Sequence, residues 1–411
     1  MASKPRFGSV GRALSNVNYR RYWIGMSVMT IGFWAYRLAL GILVWELTES
    51  FTWLGIVAFA EMVPMVLIGP IAGTIVDQKG ALKIGRLVQF LWGVIVAIFA
   101  AITYAGWATL EVVLVVAVVQ GAVGGFANPS HLALVAKLVP KEDLPPAVAL
   151  QSGTVQTGRF IGPAVAGSVI LFGGTELVFA LVAVGFFFFT LMLMMARTIE
   201  PEMPNPSSRG LMGDFVDGLQ YAAGHFEIKA IILFTAIMSI LLRPLPELLP
   251  GAADVVFSLD KDGLAALVSA FGVGAMISAI WIAIRGKIEG LTRVFWATLL
   301  LGAAALFAFG LTRDFWVALV LSVLVGFGSN TVSICSQTLV QHLVQSDMRA
   351  RVMSLLGITF RAIPALGALL QGVAASWAGF SLTVIVCGGL CALAWLWLTR
   401  TIKGRTFESH A

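Results

Sequence analysis

Twelve apolar runs, each long enough to cross a lipid bilayer, constrain this chain more than any other feature. They begin near residues 22, 52, 84, 108, 146, 175, 229, 262, 290, 314, 349 and 379, and a helix needs about 20 such residues to span roughly 30 Å of hydrocarbon. Only 12% of the residues are charged while 59% are hydrophobic, whereas soluble domains carry about 25% charge. Membrane-spanning strands would show short alternating segments instead. An all-α integral membrane protein is therefore expected. The first run, Tyr22 to Trp45, follows a basic leader but is too long for a signal-peptide core and lacks a small-residue cleavage site, so it reads as a retained span.

Short cytoplasmic loops keep their Lys and Arg during insertion. Of the 27 such residues, four (Arg37, Arg159, Arg243, Arg361) fall inside spans, and Lys261 and Arg313 lie in loops of one parity. The other 21 lie in loops of the opposite parity and in the tails. Both termini are expected on the cytoplasmic side of a bacterial inner membrane. Topology accounts for the net charge of +6, so nucleic acid is not expected as a partner.

A polar Pro- and Ser-rich stretch, "RTIEPEMPNPSSRGLMGDFVDG", separates spans six and seven. The expected organisation is a tail at 1–21, a six-helix bundle at 22–197, a linker at 198–228, a second bundle at 229–400 and a tail at 401–411. Internal similarity supports it. Leu54–Gly80 aligns with Leu264–Gly290 at an offset of 210, and "LVPKEDLPPAVAL" from Leu138 aligns with "LVQSDMRARVMSL" from Leu343 at 205. At that second offset "GPAVAG" (162–167) falls on "GALLQG" (367–372). Two parallel six-helix repeats with a site near the bilayer midplane are a transporter plan.

The loop after span two carries Gly73, Asp77, Gly80 and Lys83 in "GTIVDQKGALK". The glycines suit a tight turn, and Asp77 suits a helix N-terminus in the other half, a contact that would latch the cytoplasmic side shut. In the second copy Lys287 replaces Asp77 and Ala283 replaces Gly73, so the latch is asymmetric. Span five reads "GRFIGPAVAG", Gly158 to Gly167, in which Gly158 and Gly162 form a small-residue face for close packing and Pro163 removes an intrahelical bond. These strings resemble the loop motif and the antiporter motif of the major facilitator superfamily, with Ala166 where a glycine is usual. The nearest look-alikes are twelve-span bacterial exporters of macrolides, siderophores and related metabolites. The resemblance implies the major facilitator fold, two six-helix pseudo-repeats, and alternating access. Proton-coupled members commonly carry RxxQG in span four. Here Gln120 and Gly121 are present but Ala117 stands at the arginine, so any coupling carboxylate must lie elsewhere.

A lone charge at mid-bilayer costs at least about 2.5 to 3.5 kcal/mol, and Arg37, Glu61, Arg159, Arg243 and Arg361 all fall near mid-depth of their spans. With Glu247 they are the candidate substrate-path and coupling residues, Glu61 and Glu247 being the available counter-ions. In "RPLPELLP", Pro244 and Pro246 disfavour the helix before them, so span seven should unwind part-way. Irregular backbone at that depth lines a cavity or is buried in protein, which makes Glu247 a gate-lining, proton-coupling candidate. Glu46, Glu49, Asp254, Asp260 and Asp262 read as solvated loop charges, His131 and His342 as satisfied or solvated, and Cys335, Cys387 and Cys391 as packing residues.

No metal-ligand spacing, HExxH, GxSxG, paired catalytic carboxylates or Walker motif is present. No cofactor, metal or enzymatic activity is expected. The reading that best fits is a monomeric secondary transporter exporting a small metabolite or drug-like compound by proton antiport. The alternative is a lipid flippase-like carrier or a non-transporting scaffold on the same fold. Four buried arginines against two glutamates point to an anionic or zwitterionic ligand.

Overall fold

A computed structural model describes residues 8–198, 211–259, 261–345 and 348–401. Of the expected tails and linker, residues 1–7, 199–210 and 402–411 lie outside the described residues, as does Asp260. The described residues are helical apart from short connections. In chain order they are α1 (Gly8–Ser15), α2 (Val17–Thr48), α3 (Phe51–Lys79), α4 (Ala81–Tyr104), α5 (Leu110–Leu138), α6 (Leu144–Met194) and α7 (Leu211–Gly224). There follow α8 (Phe226–Leu241), α9 (Leu245–Val255), α10 (Lys261–Arg285), α11 (Leu291–Leu311), α12 (Phe315–Leu343), α13 (Arg349–Ala378) and α14 (Phe380–Thr401).

Two of these need division or joining to give membrane spans. Helix α6 leaves helical geometry at Gly173 and Gly174, the latter at φ 68° and ψ −172°, a conformation open to glycine. Its halves are spans five and six. Helices α8 and α9 together make span seven, broken over Leu242–Pro244. With α2–α5 and α10–α14 the total is twelve. Tyr104, Trp107, Trp316 and Trp377 are 72% to 90% exposed at span ends, where amphipathic rings sit at the headgroup level.

The duplication read from sequence reappears as repeated geometry. Gly80 at φ 91° and Gly290 at φ 74° occupy the turns after the second and eighth spans. A Cβ on Gly121 of α5 would collide with the Glu61 carbonyl of α3, and one on Gly326 of α12 with the Phe271 carbonyl of α10. Those pairs are related by the same two offsets, 205 and 210. Likewise Gly162 meets the Ile31 carbonyl at 2.8 Å, and Gly367 meets the Ile240 carbonyl at 2.5 Å, both measured from an added Cβ. Each six-span set is thus held by backbone-to-backbone crossings that tolerate only glycine.

By contacts the chain forms two compact units, Met1–Leu43 with Ala60–Ser208, and Val44–Phe59 with Arg209–Ala411. The turn joining the first two spans therefore groups with the second unit. There Trp45 donates from Nε1 to Asp254 Oδ2 at 2.9 Å, Lys261 pairs with Glu46 at 2.6 Å, and Gly251 packs on the rings of Trp45 and Phe51. Glu46 and Asp254, expected as free loop charges, are contact-forming. A second departure is Gly73, which is helical because α3 runs on to Lys79. Gly80 alone makes the turn.

Candidate functional site

In the first unit two helix crossings assemble a polar cluster inside an apolar bundle. Gly158 and Gly162 let α6 close on α2 at Thr30, Ile31 and Trp34, which brings the adjacent Arg159 over the Trp34 ring, 5.0 Å from Cζ to the centroid. Gly121 lets α5 close on α3 at Glu61, and Trp92 Nε1 donates to the Gln120 carbonyl at 3.2 Å. Between these crossings Arg37 of α2 pairs with Glu61 of α3 at 3.6 Å, the side chains 21% and 9% exposed. Helix α6 stays helical through Pro163, and Gly167 is buried in it.

The cluster carries two cations and one anion, with Arg37 close enough for its charge to act on Arg159. Tyr36 faces Glu61, Arg37 and Gln120, yet its hydroxyl is buried without a well-formed hydrogen bond. The same holds for Gln120 Nε2 and Arg159 Nε. Buried polar atoms are normally satisfied, and each orphan costs roughly 1 to 3 kcal/mol. A net positive cluster with buried polar atoms lacking well-formed hydrogen bonds and an aromatic platform is suited to an anionic or hydrogen-bonding guest. Ala117, at the position where the family places arginine, is buried against the bundle.

The second unit holds the other charges. Span seven breaks where the prolines dictate. Pro244 lacks the N–H that the Ile240 carbonyl would accept in a continuous helix, and Pro246 sits in the first turn of α9, where its missing donor is harmless. The vacancy is filled from α13, whose Gln371 Nε2 donates to the carbonyls of Ile240 at 2.6 Å and Leu241 at 3.1 Å. Gln371 lies within "GALLQG" and was not singled out from sequence. A lone amide in an apolar span opposite a double proline is the signal that would have found it. At the matching position of the first copy stands Ala166, and there span one is unbroken.

Arg243 falls inside the break, donates from Nη1 to Ser333 Oγ at 3.1 Å and stacks on Phe360 at 5.5 Å. Glu247 lies in the first turn of α9, half-buried, where a helix N-terminus favours negative charge. Arg243 and Glu247 therefore belong to no common helix. Arg361 follows Phe360 on α13 with an exposed side chain. Asp77 and Lys83 are exposed on either side of Gly80. His131 is buried, its ring between Tyr22 Oη and Gln89 Nε2 at 3.1 Å each, and all three cysteines are buried.

Known proteins agree with this architecture. Residues 11–411 match the family described as transmembrane secretion effectors. A staphyloferrin A transporter of Staphylococcus aureus is 22% identical over 395 residues, covering 95% of this chain and 98% of that protein. The MFS-type transporter YfiS of Bacillus subtilis is 24% identical, covering 93% and 92%. Among solved structures, an inward-facing, unoccupied bacterial homologue of the human lysosomal transporter Spinster superposes with a TM-score of 0.74 at 14% identity, covering 96% and 99%. The chain belongs to the transmembrane secretion effector family of the major facilitator superfamily, and is thus a multi-pass membrane transporter of a small-molecule substrate rather than an enzyme.

Proposed function

We propose that this protein is a secondary active exporter that works by alternating access, as a monomer in a bacterial cytoplasmic membrane with both termini inside, and exchanges protons for a small anionic or zwitterionic metabolite. The observation that carries the reading is the first unit's cluster of two arginines and one glutamate, in which Arg37 pairs with Glu61 and Arg159 lies over Trp34 with its Nε unsatisfied. Retaining two arginines and a glutamate in spans is costly, and a substrate carboxylate would balance the net positive charge they carry. Substrate and proton would then compete at the pair: a substrate ammonium or hydroxyl donates to ionised Glu61 while its carboxylate meets the arginines. A proton on Glu61 removes that acceptor and releases the substrate, so the two cross in opposite directions. The relative named for staphyloferrin A, a siderophore, favours a metabolite of that kind over a lipophilic cation.

The remaining residues take roles in the same cycle. Arg243 lies in, and Glu247 just after, a break held by Gln371, so bending there would move α9 together with its Trp45–Asp254 contact. Glu247 is the second coupling carboxylate, and Arg361 faces the substrate path. Asp77, with Gly73, Gly80 and Lys83, latches the cytoplasmic end when that side closes.

Flux into inside-out proteoliposomes, with and without an imposed pH gradient, tests the reading against a library of compounds sorted by charge. Gradient-stimulated accumulation of anionic metabolites is expected. Preferred transport of lipophilic cations, or gradient-independent flux, would refute it.

A further inference from the structure

A groove of about 340 Å³ lies among α7, α8 and α13 in the second unit. Ala222 and Ala223 of the linker helix form one wall, Ala236 of α8 the floor, and Leu355 and Ile363 of α13 the other wall, with Lys229 at one end. The linker was expected to be a polar connection, but α7 presents Leu219 and Ala222 at helical spacing. It is pinned to the start of α13, where Arg351 pairs with Asp217 at 3.2 Å, and to the end of α12, just beyond which the Gln345 N–H donates to Tyr221 Oη at 3.4 Å.

The chemistry of the groove is one-sided. Lys229 is the charged residue among the described lining residues, is exposed, and has no carboxylate partner among the described residues. The one lining hydroxyl, on Thr359, already donates to its own helix at the Leu355 carbonyl, 3.1 Å away. From Lys229 to Ala236 the apolar floor extends roughly 10 Å along α8 at about 1.5 Å per residue. A lysine at the mouth of an apolar furrow fits a guest with an anionic head and a hydrocarbon tail. The surrounding bilayer supplies that guest.

We propose that this groove holds an anionic phospholipid, its acyl chain against the small side chains of α7 and α8 and its phosphate on Lys229. Such a lipid ties the linker helix to spans seven and eleven. In the proposed orientation the mouth opens on the cytoplasmic leaflet, which carries the anionic lipids. Binding itself does not depend on that orientation or on the transport reading.

The test uses the full chain in nanodiscs of equimolar phosphatidylglycerol and phosphatidylcholine, with retained lipid identified by native mass spectrometry. Wild type is expected to retain phosphatidylglycerol preferentially. Lys229→Gln should lower the retained ratio of the two lipids about five-fold, the effect of a single lysine at a lipid surface, while Lys229→Arg keeps it. Ala236→Trp should fill the groove and release both lipids. An unchanged ratio in Lys229→Gln overturns the proposal, and because that position is exposed the result stands even where Ala236→Trp fails to fold. Occupation by a second copy of the chain, seen as lipid-free dimers that Ala236→Trp dissociates, overturns it too.

Discussion

Removing the charge of Glu61 takes the paired carboxylate from Arg37 in the first unit, and the structure sets how much that costs. At the 3.6 Å separation of Arg37 and Glu61, the attraction is roughly 4 to 5 kcal/mol for an effective dielectric near 20. The partial exposure of Arg37 and the entropy of fixing two long side chains reduce the net coupling to about 2 kcal/mol. Breaking a buried pair from one side is costly, whereas replacing both members by apolar residues is often neutral. Glu61→Leu and Arg37→Met are each expected to destabilise, and the double variant to recover most of the loss. The assay is a double-mutant cycle on reversible unfolding in mixed micelles. Additivity within about 0.5 kcal/mol, the behaviour of independent sites, would refute the coupling. Transport should be lost in Arg37→Met and in the double variant, because Arg37 meets the substrate as well as Glu61.

Three further outcomes are expected. Gln371→Leu leaves the carbonyls of Ile240 and Leu241 unsatisfied at roughly 1 to 3 kcal/mol each. Adding Pro244→Ala, which restores one N–H, should recover part of that loss, and failure of the rescue in the same unfolding assay would separate Gln371 from the break. Gly121→Leu and Gly326→Leu should prevent folding by collision with facing carbonyls, while Gly69→Leu and Gly389→Leu, with open space at their Cβ positions, should fold normally by size-exclusion profile. Asp77→Asn should lower export without lowering insertion, through a weaker outward-open state. Unchanged cysteine accessibility on both sides of the membrane would remove Asp77 from the latch.

How much was legible in the sequence followed the range of each interaction. Spans, the repeat and the proline break are written in local hydropathy, glycine spacing and missing N–H groups, and the structure has all three. Glu46, Asp254 and Gln371 were not legible, since their partners Lys261, Trp45 and Ile240 lie far along the chain. A charge in a loop looks solvated until the opposing element is known. The intramembrane arginines were recognisable because charge in hydrocarbon is costly. That Arg159 would stack on Trp34 and Arg37 pair with Glu61 required the two glycine crossings. Gly73 did not end the helix because glycine permits a stop without requiring one, and α3 runs on to Lys79.

The central claim, that protons and an anionic substrate exchange at the Arg37–Glu61 pair, is tested most directly by proton release. Proteoliposomes loaded with a pH-sensitive dye would be given the substrate identified by the charge-sorted screen, and the proton flux per substrate moved would be compared between wild type and Glu61→Gln. Wild type should move protons opposite to the substrate, and Glu61→Gln should exchange substrate across the membrane without net proton flux. An equal proton-to-substrate ratio in the two proteins would contradict the account.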